Sequence, residues 1–383
     1  MDSGYTLCII KPNKSSFSET FIQAHIERLT GNKLVLYGGA FPVYDNDGHP
    51  LIKSKWGLLS YLIQKKIFKR KNIAVRTNAL KNYLLDKKVD VVFAEYGMVG
   101  AMVTQACQLA NIPLIIHFHG ADVHHKKTVA AYYELYQKAF KYASSLIAVS
   151  ADMVESLKEL GAPAGKIVNA SCGVDTLAFP QLNILNSGRN FLFIGRFVEK
   201  KSPLSVVKAF KQVAEKFPDA KLWMVGQGPL FKKTKALITQ LQLEKSVTLL
   251  GVLNTAQIKE LFAKTRCFVQ HSVTADNGDK EGTPVTILEA GSSGLAIVST
   301  QHAGIKEAVL NGEPGDLVPE HDVEGMARYM IKIADDVGLA SLLGTKEAAH
   351  IRANYDIRDR IDTLNTVIQQ AIKKNKDATK KTA

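Results

Sequence analysis

Asp279-Lys280-Glu281-Gly282-Thr283-Pro284-Val285-Thr286-Ile287-Leu288-Glu289-Ala290 sets two carboxylates eight positions apart, with a Thr-Pro pair between them. Thr is a good N-cap and Pro suits the first helical position, so the spacing predicts a helix opening at Pro284. Glu281 then lies in the loop before the helix. At roughly 1.5 Å rise per residue, Glu289 lies on the order of 8–9 Å beyond the helix start. The free N–H groups between the two acids form an anion site, lined by Gly282, Thr283, Pro284 and Val285, in which the proline itself has no N–H to give. A nucleotide sugar has a matching layout: a hydroxyl-rich hexose, a diphosphate and a hydroxyl-rich ribose. One acid could meet the hexose and the other the ribose, with the diphosphate on the helix end. The same residues also fit a surface helix with a capping loop and two solvated acids.

Outward from this junction, short apolar runs alternate with helical patterns along the whole chain. Strands are expected at residues 5–10, 33–37, 89–94, 113–117, 146–149, 166–169, 191–194, 221–225, 247–250, 267–270 and 296–299. Continuously apolar strands alternating with helices imply parallel sheets covered on both faces. A chain of 383 residues suggests two domains. Periodicity lapses across residues 177–190, whose Pro, Asn and Gly fit a linker. The expected architecture is therefore α/β, with two doubly wound domains of similar size. The first spans residues 1–178 and is completed by a C-terminal helix at 355–372. The second spans 188–354, and 373–383 form a basic disordered tail. Ligands in such sheets sit at the carboxyl ends of the strands, and two facing domains would place the site in an interdomain cleft.

The net charge of +13 favours a polyanionic partner, whether nucleic acid, an anionic membrane surface or phosphorylated ligands. No apolar run reaches 18 residues, and residues 1–5 lack the marks of a signal peptide. Cys8, Cys107, Cys172 and Cys267 are widely spaced and read as reduced thiols of a cytoplasmic protein.

Three further loops follow strands. Gly195-Arg196 ends one strand, and Lys201-Ser202-Pro203 opens the next helix, so two cations suit a diphosphate. Taken alone, this is equally a solvated basic loop. Gly226-Gln227-Gly228-Pro229 is a turn that could also let the chain approach a nucleotide. His117-Phe118-His119-Gly120-Ala121-Asp122 places His119 at the end of a buried strand, where it could donate to a sugar hydroxyl or to developing charge. A structural histidine is the plainer alternative. A metal site with His124 and His125 lacks acidic or Cys partners at ligand spacing.

With these motifs in order, the chain resembles the family 4 (group 1) retaining glycosyltransferases of the GT-B fold, of bacterial polysaccharide-biosynthesis type. The resemblance also rests on Ser18-Glu19-Thr20-Phe21-Ile22, Ala148-Val149-Ser150, Gly173-Val174-Asp175, Gly304-Ile305-Lys306-Glu307 and Gly315-Asp316-Leu317-Val318. It implies that Glu281 and His119 act catalytically at the donor hexose. It implies further that Glu289 accepts from the ribose and that Arg196 and Lys201 neutralise the diphosphate. Gly226 and the backbone near Gly251-Val252 would approach the nucleotide. Where many members carry Gly-Gly in the first loop, this chain reads Lys11-Pro12-Asn13-Lys14-Ser15-Ser16, so Asn13 and Ser16 are the candidate contacts. Ser171-Cys172 stands before Gly173 where Asn is common.

The implied activity is transfer of a hexose, with UDP-glucose the leading donor, to a glycan or lipid-linked acceptor. It would need no metal and no cofactor, and nucleic acid is not expected as a partner. Residues 52–71 mix Trp, Leu, Ile and Phe with Lys and Arg, fitting both a helix on an anionic membrane and a domain helix with lysines outward. The expected location is the cytoplasm, with peripheral contact to the inner membrane face. The competing functions are a GT-B-fold nucleotide-sugar epimerase, a phosphorylase and a non-catalytic basic polyanion-binding protein. The last would interleave Lys and Arg with exposed aromatics along a groove.

Overall fold

The protein is described from a computed structural model covering residues 4–14, 20–68, 73–310 and 317–382. Ser16, Ser18, Glu19, Gly315, Asp316 and the end of the 52–71 segment (69–71) lie outside the described residues. The chain divides into two compact units, residues 1–170 with 361–383, and residues 171–360.

In the first unit the strands are β1 (Thr6–Lys11), β2 (Asn32–Tyr37), β3 (Tyr44–Asp45), β4 (Val91–Glu95), β5 (Leu114–His117), β6 (Ser145–Ala148) and β7 (Ile167–Asn169). Its helices are α1 (Thr20–Arg28), α2 (Lys55–Lys66), α3 (Ala74–Asp86), α4 (Gly97–Ala110), α5 (Ala121–His124), α6 (Lys126–Tyr142) and α7 (Ala151–Glu159). The sheet order is β3-β2-β1-β4-β5-β6-β7, parallel except for the β2–β3 pair. β1 from Leu7 and β4 from Val91 are apolar until their last residues, Lys11 and Glu95, and these stretches are buried. This burial is why they read as unbroken hydrophobic runs rather than alternating ones.

The second unit contains β8 (Asn190–Ile194), β9 (Lys221–Val225), β10 (Val247–Gly251), β11 (Cys267–Val269), β12 (Ala296–Thr300) and β13 (Leu317–Val318). Its helices are α8 (Pro203–Lys216), α9 (Phe231–Gln240), α10 (Thr255–Phe262), α11 (Val285–Ser292), α12 (Ile305–Ala308), α13 (Val323–Asp335) and α14 (Val337–Asn354). α15 (Ile357–Thr382) starts here and runs on into the first unit. The sheet order is β10-β9-β8-β11-β12-β13, all parallel.

In each sheet the order reverses once, between β1 and β4 and between β8 and β11. Helices leave opposite faces on either side of such a point, which opens a crevice beyond the strand ends where ligands bind.

Three expectations change. Residues 373–382 are helical rather than disordered. Asn375 Nδ2 donates to the Asn111 carbonyl at 3.0 Å, and Lys376 pairs with Asp90 at 3.6 Å, so the polar end of α15 is anchored to the first unit. The 177–190 stretch is no free linker, because Phe179 and Ile184 are buried in the core of the second unit. The chain passes between units at Ala170/Ser171 and Arg360/Ile361, earlier than 178 and later than 354. All four cysteines are buried and free.

Gly226, with φ of 131°, follows β9, and a Cβ there would lie 2.0 Å from the Gly195 carbonyl oxygen. The close approach that requires glycine is therefore to the loop after β8. Gly226→Ala should lower stability by about 3 kcal/mol through overpacking and backbone strain. Urea denaturation of the two proteins checks this.

Candidate active site

The second unit places a cluster of buried charged side chains at its switch point. Lys201 lies between β8 and α8, and its ammonium stands 3.2 Å from Glu281 Oε1 while donating to Gln270 Oε1 at 3.2 Å. Gln270 directly follows β11 and is fully buried. Lys200 Nζ pairs with Asp279 Oδ1 at 3.1 Å and donates to the Lys280 carbonyl at 3.0 Å. Two consecutive lysines thus hold the loop that carries Glu281 against the end of β8. Burial alone would push the Glu281 carboxyl up, but the Lys201 ammonium, with Lys200 and His302, holds it below the usual carboxylate range.

His302 secures the same loop from the other side. Its Nε2 accepts from the Glu281 N–H at 3.1 Å, which assigns the remaining proton to Nδ1, 2.6 Å from Glu320 Oε1. Glu320 also accepts from the Thr274 N–H at 2.8 Å.

α11 begins at Val285, one residue later than expected, with Pro284 as N-cap. Pro284 has ψ of 103°, outside the helical range, and no side chain caps the helix, so Thr283 does not take the capping role. The Ile287 N–H turns back to the Pro284 carbonyl at 3.0 Å, which leaves the first-turn N–H groups of Val285 and Thr286 for a ligand. Gly282, Thr283 and Pro284 are buried and Val285 is half-buried. Glu289, on the second turn of α11, is half-buried, and among the described residues no side chain or backbone group partners its carboxylate. Loss of hydration pushes its carboxyl up to about 8, with Lys259 opposing. Arg196 is exposed beyond β8, and Val252, 54% exposed, follows β10.

The first unit has its own polar cluster at the β1–β4 switch point. Glu95, the last residue of β4, is wholly buried. Its Oε1 meets His25 Nδ1 of α1 at 2.7 Å, and its Oε2 meets His119 Nε2 at 2.8 Å. His117 Nδ1 lies 3.4 Å from Oε2, and among the described residues neither ring nitrogen of His117 has a hydrogen-bond partner. Burial, then the neighbouring His119, takes the His117 imidazole down to about 3. Asp122, also fully buried, accepts from the N–H groups of Gly97 (2.7 Å), His119 (3.0 Å) and Gly120 (2.9 Å), which fixes the loop that carries His119. His124 and His125 do other work. His124 Nε2 is bonded to Ser156 at 3.1 Å, and His125 caps α6 through the Thr128 N–H at 3.2 Å. Asn13 is exposed after β1.

Of the residues expected at a site, the structure thus brings Lys201 and Glu281 into contact and sets both near the start of α11. It leaves Arg196, Val252 and Asn13 at the surface. Sequence reasoning passed over Glu95, His25, Lys200, Gln270 and His302. A polar residue closing a buried strand was the signal for His119, and Glu95 carries that same signal on β4.

Two family models cover most of this chain. The glycosyl transferase 4-like domain matches residues 54–173, and glycosyl transferases group 1 matches residues 175–350. The chain belongs to the group 1 glycosyltransferases. It is 29% identical over 249 residues to WcaL of Salmonella typhimurium, a protein named for colanic acid biosynthesis, covering 64% of this chain and 61% of the relative. The match therefore spans about 61% of that relative's length. A UDP-Gal:alpha-D-GlcNAc-diphosphoundecaprenol alpha-1,3-galactosyltransferase of Escherichia coli is 28% identical over 305 residues, 75% of this chain and 76% of that protein. Among solved structures, Anabaena HepE in complex with UDP superposes with a TM-score of 0.75 at 17% identity, covering 96% of this chain and 100% of that one. The shared architecture is GT-B.

Glu289 also predicts a pH dependence. Its folded value of about 8 lies above the unfolded value of about 4.3, so the protonated form is the stabilised one. That contribution is fully present below pH 4.3 and is lost as pH rises through 8, at no more than about 1.4 kcal/mol per pH unit. Glu289→Gln, a permanent mimic of the neutral form, should gain stability over the parent from pH 5 to pH 9. Parallel urea titrations at those two pH values measure it.

Proposed function

We propose that the protein is a retaining hexosyltransferase that moves a hexose from a UDP-sugar, with UDP-glucose the leading donor, to a glycan or lipid-linked acceptor in polysaccharide assembly. The observation that carries this reading is the buried Lys201–Glu281 pair beside the uncapped start of α11, with the unpartnered Glu289 one turn further on. A hydroxyl-rich hexose, a diphosphate and a ribose would find complementary groups there in the order a nucleotide sugar presents them. The family membership and the diphosphoundecaprenol acceptor named for the Escherichia coli relative support it.

In the proposed reaction the bond from the anomeric carbon to the diphosphate breaks, and the bond to the acceptor oxygen forms on the same face. The leaving phosphate oxygen takes the acceptor's proton. Negative charge grows on the diphosphate, where Arg196, Lys201 and the positive end of α11 meet it, so no resident metal is needed. An arriving diphosphate competes with Glu281 for the Lys201 ammonium. The carboxylate oxygens of Glu281 are then released to the hexose hydroxyls. His119 faces the donor sugar in this reading.

Peripheral membrane contact belongs to the same proposal. Trp56 (81% exposed), Leu59, Ile63 and Ile67 recur at helical spacing along α2, while Tyr61 packs inward against Ile52 and Ile73. Between Asp47 and Asp86 the chain has nine Lys and Arg and no acidic residue. An apolar stripe on a basic segment suits an anionic lipid surface. Among the described residues no helix is long and apolar enough to cross a membrane.

Glu281→Gln should reduce kcat by roughly 100-fold with donor affinity within about threefold of the parent. Unchanged turnover would remove Glu281 from the mechanism. Glu289→Ala should weaken UDP binding about tenfold by calorimetry, and equal affinity would count against a ribose contact. A thermal shift selective for UDP over GDP and ADP supports the donor class, whereas a shift with oligonucleotides alone supports the polyanion binder. Replacing Trp56, Ile63 and Ile67 together with Ala should abolish co-sedimentation with anionic vesicles. Binding that persists would place the contact elsewhere.

A further inference from the structure

We propose that Glu95 is the positioning residue of His119: it holds His119 as an Nε2–H donor and ties that ring, through one carboxylate, to His25. The inference rests on the reading that His119 meets the donor sugar.

The carboxylate lies at the end of β4 with no exposure and has both oxygens occupied, by His25 Nδ1 at 2.7 Å and His119 Nε2 at 2.8 Å. These are hydrogen-bond lengths of the charge-assisted kind. An ionised carboxylate this deep is tolerated only with a compensating charge, and the two imidazoles are its direct partners. The groups around it are Lys11 at the end of β1, His25 on α1, His117 on β5, Tyr96, and Asp122 on α5 behind the His119 loop. Burial pushes Glu95 up, but His25 foremost, with the hydrogen-bonded His119, holds it well below the usual carboxylate range. Burial, then the neighbouring His119, keeps the His117 imidazole neutral.

The backbone is built around this contact. Tyr96, next to Glu95, sits at φ 77° and ψ 139°, a region that costs a non-glycine residue about 1–3 kcal/mol. That conformation lets the Tyr96 N–H donate to the His117 carbonyl at 2.8 Å while the following Gly97 N–H reaches Asp122 at 2.7 Å. It also sets the Tyr96 ring edge-on to His119 at 4.9 Å, and Phe21 lies 4.4 Å from the same imidazole. Strand end, strained corner and pinned loop all converge on one imidazole.

The direct test is long-range proton–nitrogen correlation on the full chain labelled with 15N-histidine, without nucleotide. His119, assigned by its absence in His119→Gln, should appear as the Nε2–H tautomer or as imidazolium. An Nδ1–H tautomer overturns the proposal without any further variant. Glu95→Gln should move the His119 titration down by one pH unit or more, and the basic limb of the kcat profile should follow it. It should lower kcat roughly 10–100-fold with the donor KM within about threefold, and Glu95→Asp should recover part of the loss. An unmoved titration overturns the proposal. The ring nitrogens of His25 and His117 and a Glu95 oxygen lie within 4.8 Å of one another. Stoichiometric transition metal in the purified chain, lost in His117→Ala, would therefore replace the hydrogen-bonded account and overturn it. If transfer fails while the tautomer and titration behave as expected, the fault lies with the proposed function and not with the Glu95–His119 coupling.

Discussion

A carboxylate taken out of water needs a countercharge, a set of donors or a proton. Three glutamates in this fold meet that demand in three ways. Glu95 shares itself between imidazoles, Glu281 leans on an ammonium, and Glu289 keeps its proton up to about pH 8 for want of any partner. The differences follow from chain geometry. Glu95 closes a strand beside a helix that carries a histidine. Glu281 sits in a loop that two lysines tie down. Glu289 points from the second turn of a helix, where among the described residues only the charge of Lys259 is felt and no group bonds to it.

Parallel sheets make such placement possible. Apolar strands buried on both faces leave side chains of functional polarity only at their ends, and the reversal of strand order opens space there. Lys11 and Glu95 end β1 and β4, while Gly195 and Gln270 follow β8 and β11. The helices supply rigidity and one aligned dipole, that of α11, and connecting loops supply the chemistry.

Much of this was legible in the residues. The eleven expected strands are all present within about two residues, because fully buried strands announce themselves as unbroken apolar runs. The two short edge strands, β3 and β13, have only two residues each and leave no such trace. The α11 junction was found with its start shifted by one residue, since Pro284 takes the cap that Thr283 was expected to supply. The end of α15 was misread because a Lys-rich polar tract looks solvated. Its anchors, Asn111 and Asp90, lie more than 260 residues away in the chain. The Glu95 cluster was missed for a similar reason: His25, Glu95 and His119 come together only through strand order, which local patterns do not encode.

The path of α15 also bears on how the molecule is made. Val367, Ile368, Ala371 and Ile372 are buried, and they belong to the unit whose other residues precede position 171. During synthesis the amino-terminal sheet must therefore wait, one apolar surface uncovered, while some 190 residues of the other unit emerge and fold. A chaperone acting on the nascent chain would find its target there, and loss of the last helical turns would harm the half of the protein that was translated first.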